Sequence, residues 1–271
     1  MKNPSTSDES VLLAVEGGVA LVTLNRPHRR NALDTTVIRL LPEVVHEAAG
    51  RDDVRVIVLT GTDPAFCAGL DLHELGTTGG NLGLPDAAAS RWPWDAPNTV
   101  VIGAINGPAV AGGLELALHC DFLVASERAV FADTHARVGQ VPGAGLTVNL
   151  PRWIGQARAR EMSFTGSFVP ADMAMAWGLV NRVVPHQDLL PACMSIAAEI
   201  TDNDEAAVAA IRRMYDQTET LPRSQALRWE ETAARQWQAE HHDPAVVATR
   251  RERITARGRS MAAELRASQR P

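Results

Sequence analysis

Two short β-prone runs, residues 11–15 (VLLAV) and 19–24 (VALVTL), flank Glu16-Gly17-Gly18, a spacing that predicts a hairpin with glycine in its turn. Asn25-Arg26-Pro27 reads as a further turn. Asp34 is placed to N-cap a helix reaching about Gly50, because Val37, Leu40, Leu41, Val44 and Val45 recur at helical spacing, with Pro42 as a blemish inside it. Residues 54–60 (VRVIVLT) and 100–105 (VVIGAI) are too continuously apolar for exposed strands and fit strands covered by helices on both faces. Each leads into a glycine-bearing turn, 65–69 (AFCAG) and 107–113 (GPAVAGG), and then into an apolar helical stretch. Residues 122–125, 130–131 and 180–184 add short strands. Strand, turn and helix recurring at this interval predict an α/β core.

Residues 76–98 break the pattern. They are rich in Gly, Pro and Ala, carry Trp92 and Trp94, and hold no period, so they read as a long excursion or lid. From about Asp188 strand signals stop, and helices are expected over 205–217, 223–240 and 244–257. The expected organisation is a polar tail (1–10), an α/β core (11–187) and a C-terminal helical region (188–271). No internal repeat or low-complexity tract is evident.

Composition narrows the chemistry. With 271 residues and 45% hydrophobic content the chain can bury a full core. A formal net charge of −6 and scattered arginines leave no basic footprint, which argues against a nucleic-acid partner. Cys67, Cys120 and Cys193 are odd in number and widely spaced, which suits a reducing compartment rather than a disulfide framework or a zinc site. No run approaches a membrane span and the N-terminus lacks a signal-peptide pattern, so a cytoplasmic protein without membrane association is expected. Lys2 is the only lysine, which argues against Schiff-base and P-loop chemistry. His241-His242 has no second ligand cluster nearby, so no metal is expected.

Glycine turns that follow a buried strand and open a helix present backbone N–H groups lacking intrahelical partners. Two facing turns of this kind would bind one negative oxygen; taken singly, the same glycines also serve simply to let strands turn tightly. Glu115 lies just past Gly112-Gly113-Leu114, in a stretch that is otherwise almost entirely apolar. A carboxylate there is costly unless paired, protonated or used, although an acidic first-turn residue is also favoured by the helix dipole.

The strings NRPHRRNAL (25–33), AFCAGLDL (65–72), INGPAVAGGLELALHCD (105–121) and VGQVPGAG (138–145) resemble, in order and spacing, the successive signatures of the crotonase, or enoyl-CoA hydratase/isomerase, superfamily. The resemblance implies a right-handed spiral of ββα units followed by C-terminal helices that assemble trimers, which commonly pair into hexamers. It implies acyl-CoA thioester substrates, with coenzyme A as part of the substrate and no separate cofactor. The oxyanion-hole donors would be the backbone N–H groups of Leu70 and Gly112. CoA would run along Arg26, Arg29, Arg30, Ala68 and Asp71, with Leu72, Gly113, Pro142 and Gly143 also lining the substrate. Arg29 and Arg30 are the candidates for its phosphates.

Hydratases of this superfamily use two glutamates. Glu115 matches the first, whereas the second position holds His135, which can also donate or accept a proton at neutral pH. The expected activity is hydration of trans-2-enoyl-CoA. The alternatives are another crotonase-type isomerase or lyase, or an acyl-CoA binding protein without turnover. Neighbouring Asp133 and Thr134 could orient His135 or point away from it.

Overall fold

The computed structural model describes residues 10–82, 93–94 and 98–268. Chain order runs β1 (Val11–Glu16), β2 (Val19–Leu24), α1 (Thr35–Ala49), β3 (Val56–Gly61), α2 (Leu72–Thr77), β4 (Val100–Ile105), β5 (Ala109–Val110) and α3 (Gly112–Leu118). It continues with β6 (Phe122–Ser126), β7 (Val130–Ala132), α4 (Leu146–Ile154), α5 (Gln156–Thr165), β8 (Val169–Pro170), α6 (Ala171–Trp177) and β9 (Arg182–Val184). Four helices end the chain: α7 (Leu189–Thr201), α8 (Glu205–Glu219), α9 (Arg223–His241) and α10 (Pro244–Ser268).

The expected hairpin forms. β1 and β2 pair antiparallel, and Gly17 and Gly18 supply the two positive φ angles, 57° and 83°, that their tight connection requires. From β2 onward the main sheet is parallel, in the order β1-β2-β3-β4-β6-β9. The unbroken apolar runs now have a physical cause. Ile57, Leu59, Val101 and Ile105 face one core with the α1 residues Ile38, Leu41 and Val45, while Val56, Val58, Val100 and Ile102 face another with Leu189, Cys193 and Ala197 of α7. Asp34 caps α1 by accepting the Val37 N–H, and the helix continues through Pro42.

A smaller sheet, in the order β5-β7-β8, lies on the path of the glycine turns. Parallel bridges Leu33–Leu70 and Cys67–Ala109 lead into it. Two asparagines from the sequence signatures fasten these loops. Asn31 donates to the carbonyls of Thr62 and Ala65 at 2.8 and 2.7 Å, and Asn106 donates to Asp63 at 2.9 Å and to Ala65 at 3.3 Å.

Contacts divide the chain into two compact units, one ending at Arg212 and the other spanning 213–271. Within the region expected to be helical from residue 188, α7 packs into the sheet core through Leu189, Cys193 and Ala197. In the second unit α10 runs to Ser268, eleven residues past the expected end at Arg257, and Trp237 stacks on His241 with ring centroids 3.8 Å apart. No residue from 205 to 260 is buried. Residues 1–9 and most of the 76–98 excursion, Trp92 included, lie outside the described residues, whereas Trp94 is buried and meets His119 edge to face.

Candidate active site

Leu70 sits where the chain bridges to Leu33. In that bridge the Leu33 amide donates to Gly69 and the Asp71 amide donates to Leu33, so the Leu70 amide faces the opposite side. At the head of α3, Ala111 adopts φ 49°, ψ −114°, a conformation that costs an L residue roughly 1–3 kcal/mol and is held by its amide donating to Ala132 on β7. This turn brings Gly112 close to Leu70: a Cβ placed on Gly112 would lie 3.7 Å from the Leu70 nitrogen. Among the described residues neither amide donates a hydrogen bond. Gly113 also has a packing task of its own. A Cβ there would stand 2.1 Å from the Cys67 carbonyl oxygen, so its role is to let α3 pack against the preceding turn.

Glu115, one turn into α3, is only 4% exposed. Its Oε1 accepts the amides of Ala144 at 2.7 Å and Leu146 at 3.4 Å, so the VGQVPGAG signature supplies the partners of this buried carboxylate. Burial pushes the Glu115 carboxyl above its ordinary range. The Ala144 amide, a charged His135 and the Leu146 amide oppose that rise, and the Asp133 charge reinforces it. His119, one turn further along α3, hydrogen-bonds the Ala144 carbonyl through Nε2 at 2.8 Å, and burial lowers its pKa, so it is a neutral donor there. The Ala144 backbone is thus held on both sides, by Glu115 at its N–H and by His119 at its C=O.

His135 opens a short 3-10 turn, His135–Val138, directly after β7, and is 6% exposed. Its Nδ1 lies 2.7 Å from Asp133 Oδ1, and the same oxygen accepts the His135 amide at 3.2 Å. Burial pushes Asp133 upward, but hydrogen bonds from His135 and Ser163 together with the His135 charge hold it below the usual carboxylate range. Asp133 is therefore an anion, an acceptor only, and Nδ1 carries a proton. The other ring nitrogen, Nε2, faces Glu115 Oε2 at 3.7 Å. That separation exceeds a direct hydrogen bond and allows one water oxygen to reach both groups.

The expected CoA-binding residues separate into two kinds. Arg26 donates to the Ala32 carbonyl and pairs with Asp34 at 2.9 Å and Asp71 at 3.2 Å. Asp71 also N-caps α2 through the amides of His73 and Glu74. These two side chains form a strut, a pairing that no spacing in the sequence announces. Arg29 and Arg30 are exposed, and among the described residues neither has an ion-pair partner. Ala68 and Pro142 are half-buried, and Leu72 and Gly143 are exposed. Cys67, buried with its thiol pushed up to about 12 by desolvation, is no nucleophile. Asp133, Ser163 and His119 are the site groups that sequence reasoning left unresolved or missed.

Among the described residues no cluster of His, Cys, Asp and Glu is arranged to hold a metal, and no helix is long and apolar enough to cross a membrane.

The family model for enoyl-CoA hydratase/isomerase matches residues 14–251. A short-chain-enoyl-CoA hydratase of Clostridium acetobutylicum is 35% identical over 204 residues, which are 73% of this chain and 78% of that protein. The crystal structure of an enoyl-CoA hydratase from Mycobacterium avium superposes with a TM-score of 0.72 at 47% identity, covering 86% of this chain and 98% of the other. One from Bacillus anthracis gives a TM-score of 0.74 at 30% identity, covering 84% and 90%. Sequence signatures, sheet order and a match running from β1 through α10 agree with one another, and the chain belongs to the enoyl-CoA hydratase/isomerase family, with the crotonase fold.

Proposed function

We propose that the protein is an enoyl-CoA hydratase that adds water reversibly across the double bond of a trans-2-enoyl-CoA. The observation that carries this reading is the pair of proton-transfer groups, Glu115 Oε2 and His135 Nε2, 3.7 Å apart, in a chain whose Leu70 and Gly112 amides donate no hydrogen bond among the described residues. The thioester carbonyl would accept from the Leu70 and Gly112 amides. Glu115 removes a proton from water as the oxygen bonds to Cβ, and the π electrons of the double bond pass through Cα onto the thioester oxygen. As the enolate collapses, Cα takes a proton from the Nε2–H of a protonated His135.

The two amides act where charge develops; loss of one such donor typically costs about 2.7–4 kcal/mol of transition-state stabilisation. After one turnover Glu115 holds the proton from water and His135 has lost one. A single water spanning the 3.7 Å between them offers the route by which that proton passes from Glu115 to Nε2 and restores the starting state. Raising the Glu115 pKa suits it to this work, since a stronger base takes the water proton more readily.

Arg29 and Arg30 would meet the CoA phosphates. The described helices beyond Arg212 expose Tyr215, Leu227 and Ile254, which fits packing against further copies in a trimer or a dimer of trimers. Incubation with crotonyl-CoA and with medium- and long-chain trans-2-enoyl-CoA tests the reading. Formation of the 3-hydroxyacyl-CoA supports it; unchanged thioesters at saturating concentration, or an isomerised or cleaved product instead, would refute it.

A further inference from the structure

Among the described residues, two hydrogen-bonded chains contain a histidine and an aspartate, and they differ in what lies at the far end. In one, Ser126 Oγ meets His186 Nδ1 at 3.0 Å and His186 Nε2 meets Asp63 at 3.0 Å. Ser126 is fully buried and accepts the Arg128 amide, while Asp63 is largely exposed, so this chain fastens β6 to the loop after β3 and offers no reactive group to a substrate. In the other, the aspartate is at the buried end and the free ring nitrogen faces Glu115.

Asp133 is 1% exposed, and a carboxylate so placed is costly unless its hydrogen bonds repay the loss of water. Its Oδ1 takes both the backbone and the ring N–H of the same residue, His135, which fixes the ring's position along the chain as well as its tilt. Ser163, reaching over from α5, holds the carboxylate from another element. The charged groups facing the ring are Asp133 on its own segment and Glu115 on α3.

We propose that Asp133, backed by Ser163, is a positioning residue for the hydration: it holds the His135 tautomer with the proton on Nδ1, aims Nε2 at Glu115, and stabilises the imidazolium that protonates the α carbon. This rests on the hydratase reading for its catalytic consequence, but the hold of Asp133 on His135 is a property of the protein alone. The site thereby works as a Glu-His-Asp unit. Asp133 supplies the negative charge that a neutral carboxylic acid donor would not need and an imidazolium donor does.

Proton NMR of histidine-labelled protein and steady-state kinetics test it together. Wild type should show a downfield ring N–H resonance that disappears in His135→Ala, is lost in Asp133→Ala, moves upfield in Asp133→Asn because a neutral acceptor bonds more weakly, and survives in Glu115→Gln. In Asp133→Asn, kcat should fall about 10- to 100-fold, the usual effect of removing the partner behind a working histidine, with KM within about 3-fold. The basic limb of the pH profile should move to lower pH, and Ser163→Ala should move it the same way by less. Asp63→Asn, on the other chain, should leave the profile in place.

An unaltered resonance in Asp133→Asn, or a lowered melting temperature with an unmoved pH limb in both the Asp133 and Ser163 variants, would overturn the proposal. If wild type hydrates no enoyl-CoA, the hydratase reading fails while the resonance still decides whether Asp133 holds His135.

Discussion

Glu115 Oε2 and His135 Nε2 face each other at 3.7 Å, one carried by α3 and the other by the turn after β7, and both side chains are almost completely buried. Each is anchored on its far side. Two amides of the 144–146 turn hold Glu115, and Asp133 holds His135, so the facing atoms are the ones left for chemistry.

This arrangement makes Glu115 a cost to the fold. Its carboxyl pKa is raised in the native state, so the contribution it makes to stability is present below its unfolded value, near 4.3, and is lost as pH rises through the native value. Glu115→Gln should therefore be as stable as wild type near pH 4 and more stable at pH 7, while kcat falls about 10²- to 10⁴-fold. Melting curves across pH 4–8 check the first part. Asp133 has the opposite sign: its pKa is lowered, so its contribution is present above about 3.9 and lost as pH falls through the native value.

Adjacent glycines should respond differently to the same change. Gly112→Ala puts a Cβ 3.2 Å from the flexible end of Leu33 and near the Leu70 amide, so the fold should survive while kcat/KM falls about 10²-fold. Gly113→Ala drives a Cβ into the Cys67 carbonyl, and stability should fall by about 3 kcal/mol or more. Denaturant titration with kinetics on the same samples separates the two effects.

Much of the frame was legible in the sequence, because it is local. The hairpin, β3 and β4 follow from runs of apolar residues bounded by turn residues, and the asparagines at 31 and 106 lie within signatures whose loops they tie down. β5 and β8 are two residues long and exist through pairing with β7, so no period announces them. α5 buries only Ala159 and Met162, too few to mark a face. At the site, Glu115 and His135 stood out as polar residues in known positions. The direction of Asp133 did not, because the strand ends at Ala132 and the following 3-10 turn, rather than strand alternation, sets where its neighbours point.

The arginines near the start of the chain divide along the same line. Arg26 is locked among Ala32, Asp34 and Asp71, and Arg26→Ala should cost about 3 kcal/mol of stability by leaving Asp71 without its cation. Arg29→Ala and Arg30→Ala should leave stability and kcat unchanged and raise KM for acyl-CoA about 2- to 5-fold each. The increase should shrink in high salt, because exposed charges are screened.

His119 gives a graded test of the clamp on Ala144. His119→Leu removes the donor to the Ala144 carbonyl and should loosen the turn that holds Glu115, lowering kcat about 3- to 10-fold, in line with one lost hydrogen bond. His119→Gln, which can still donate, should recover most of it.

The most direct test of the central claim is the loss of enoyl-CoA absorbance with wild type, Glu115→Gln and His135→Ala across pH 5–9. Wild type should hydrate with a bell-shaped profile, both variants should lose most of their rate, and the basic limb should vanish with His135. Full hydration by His135→Ala with an unchanged profile would contradict it, as would a wild type that leaves every enoyl-CoA untouched.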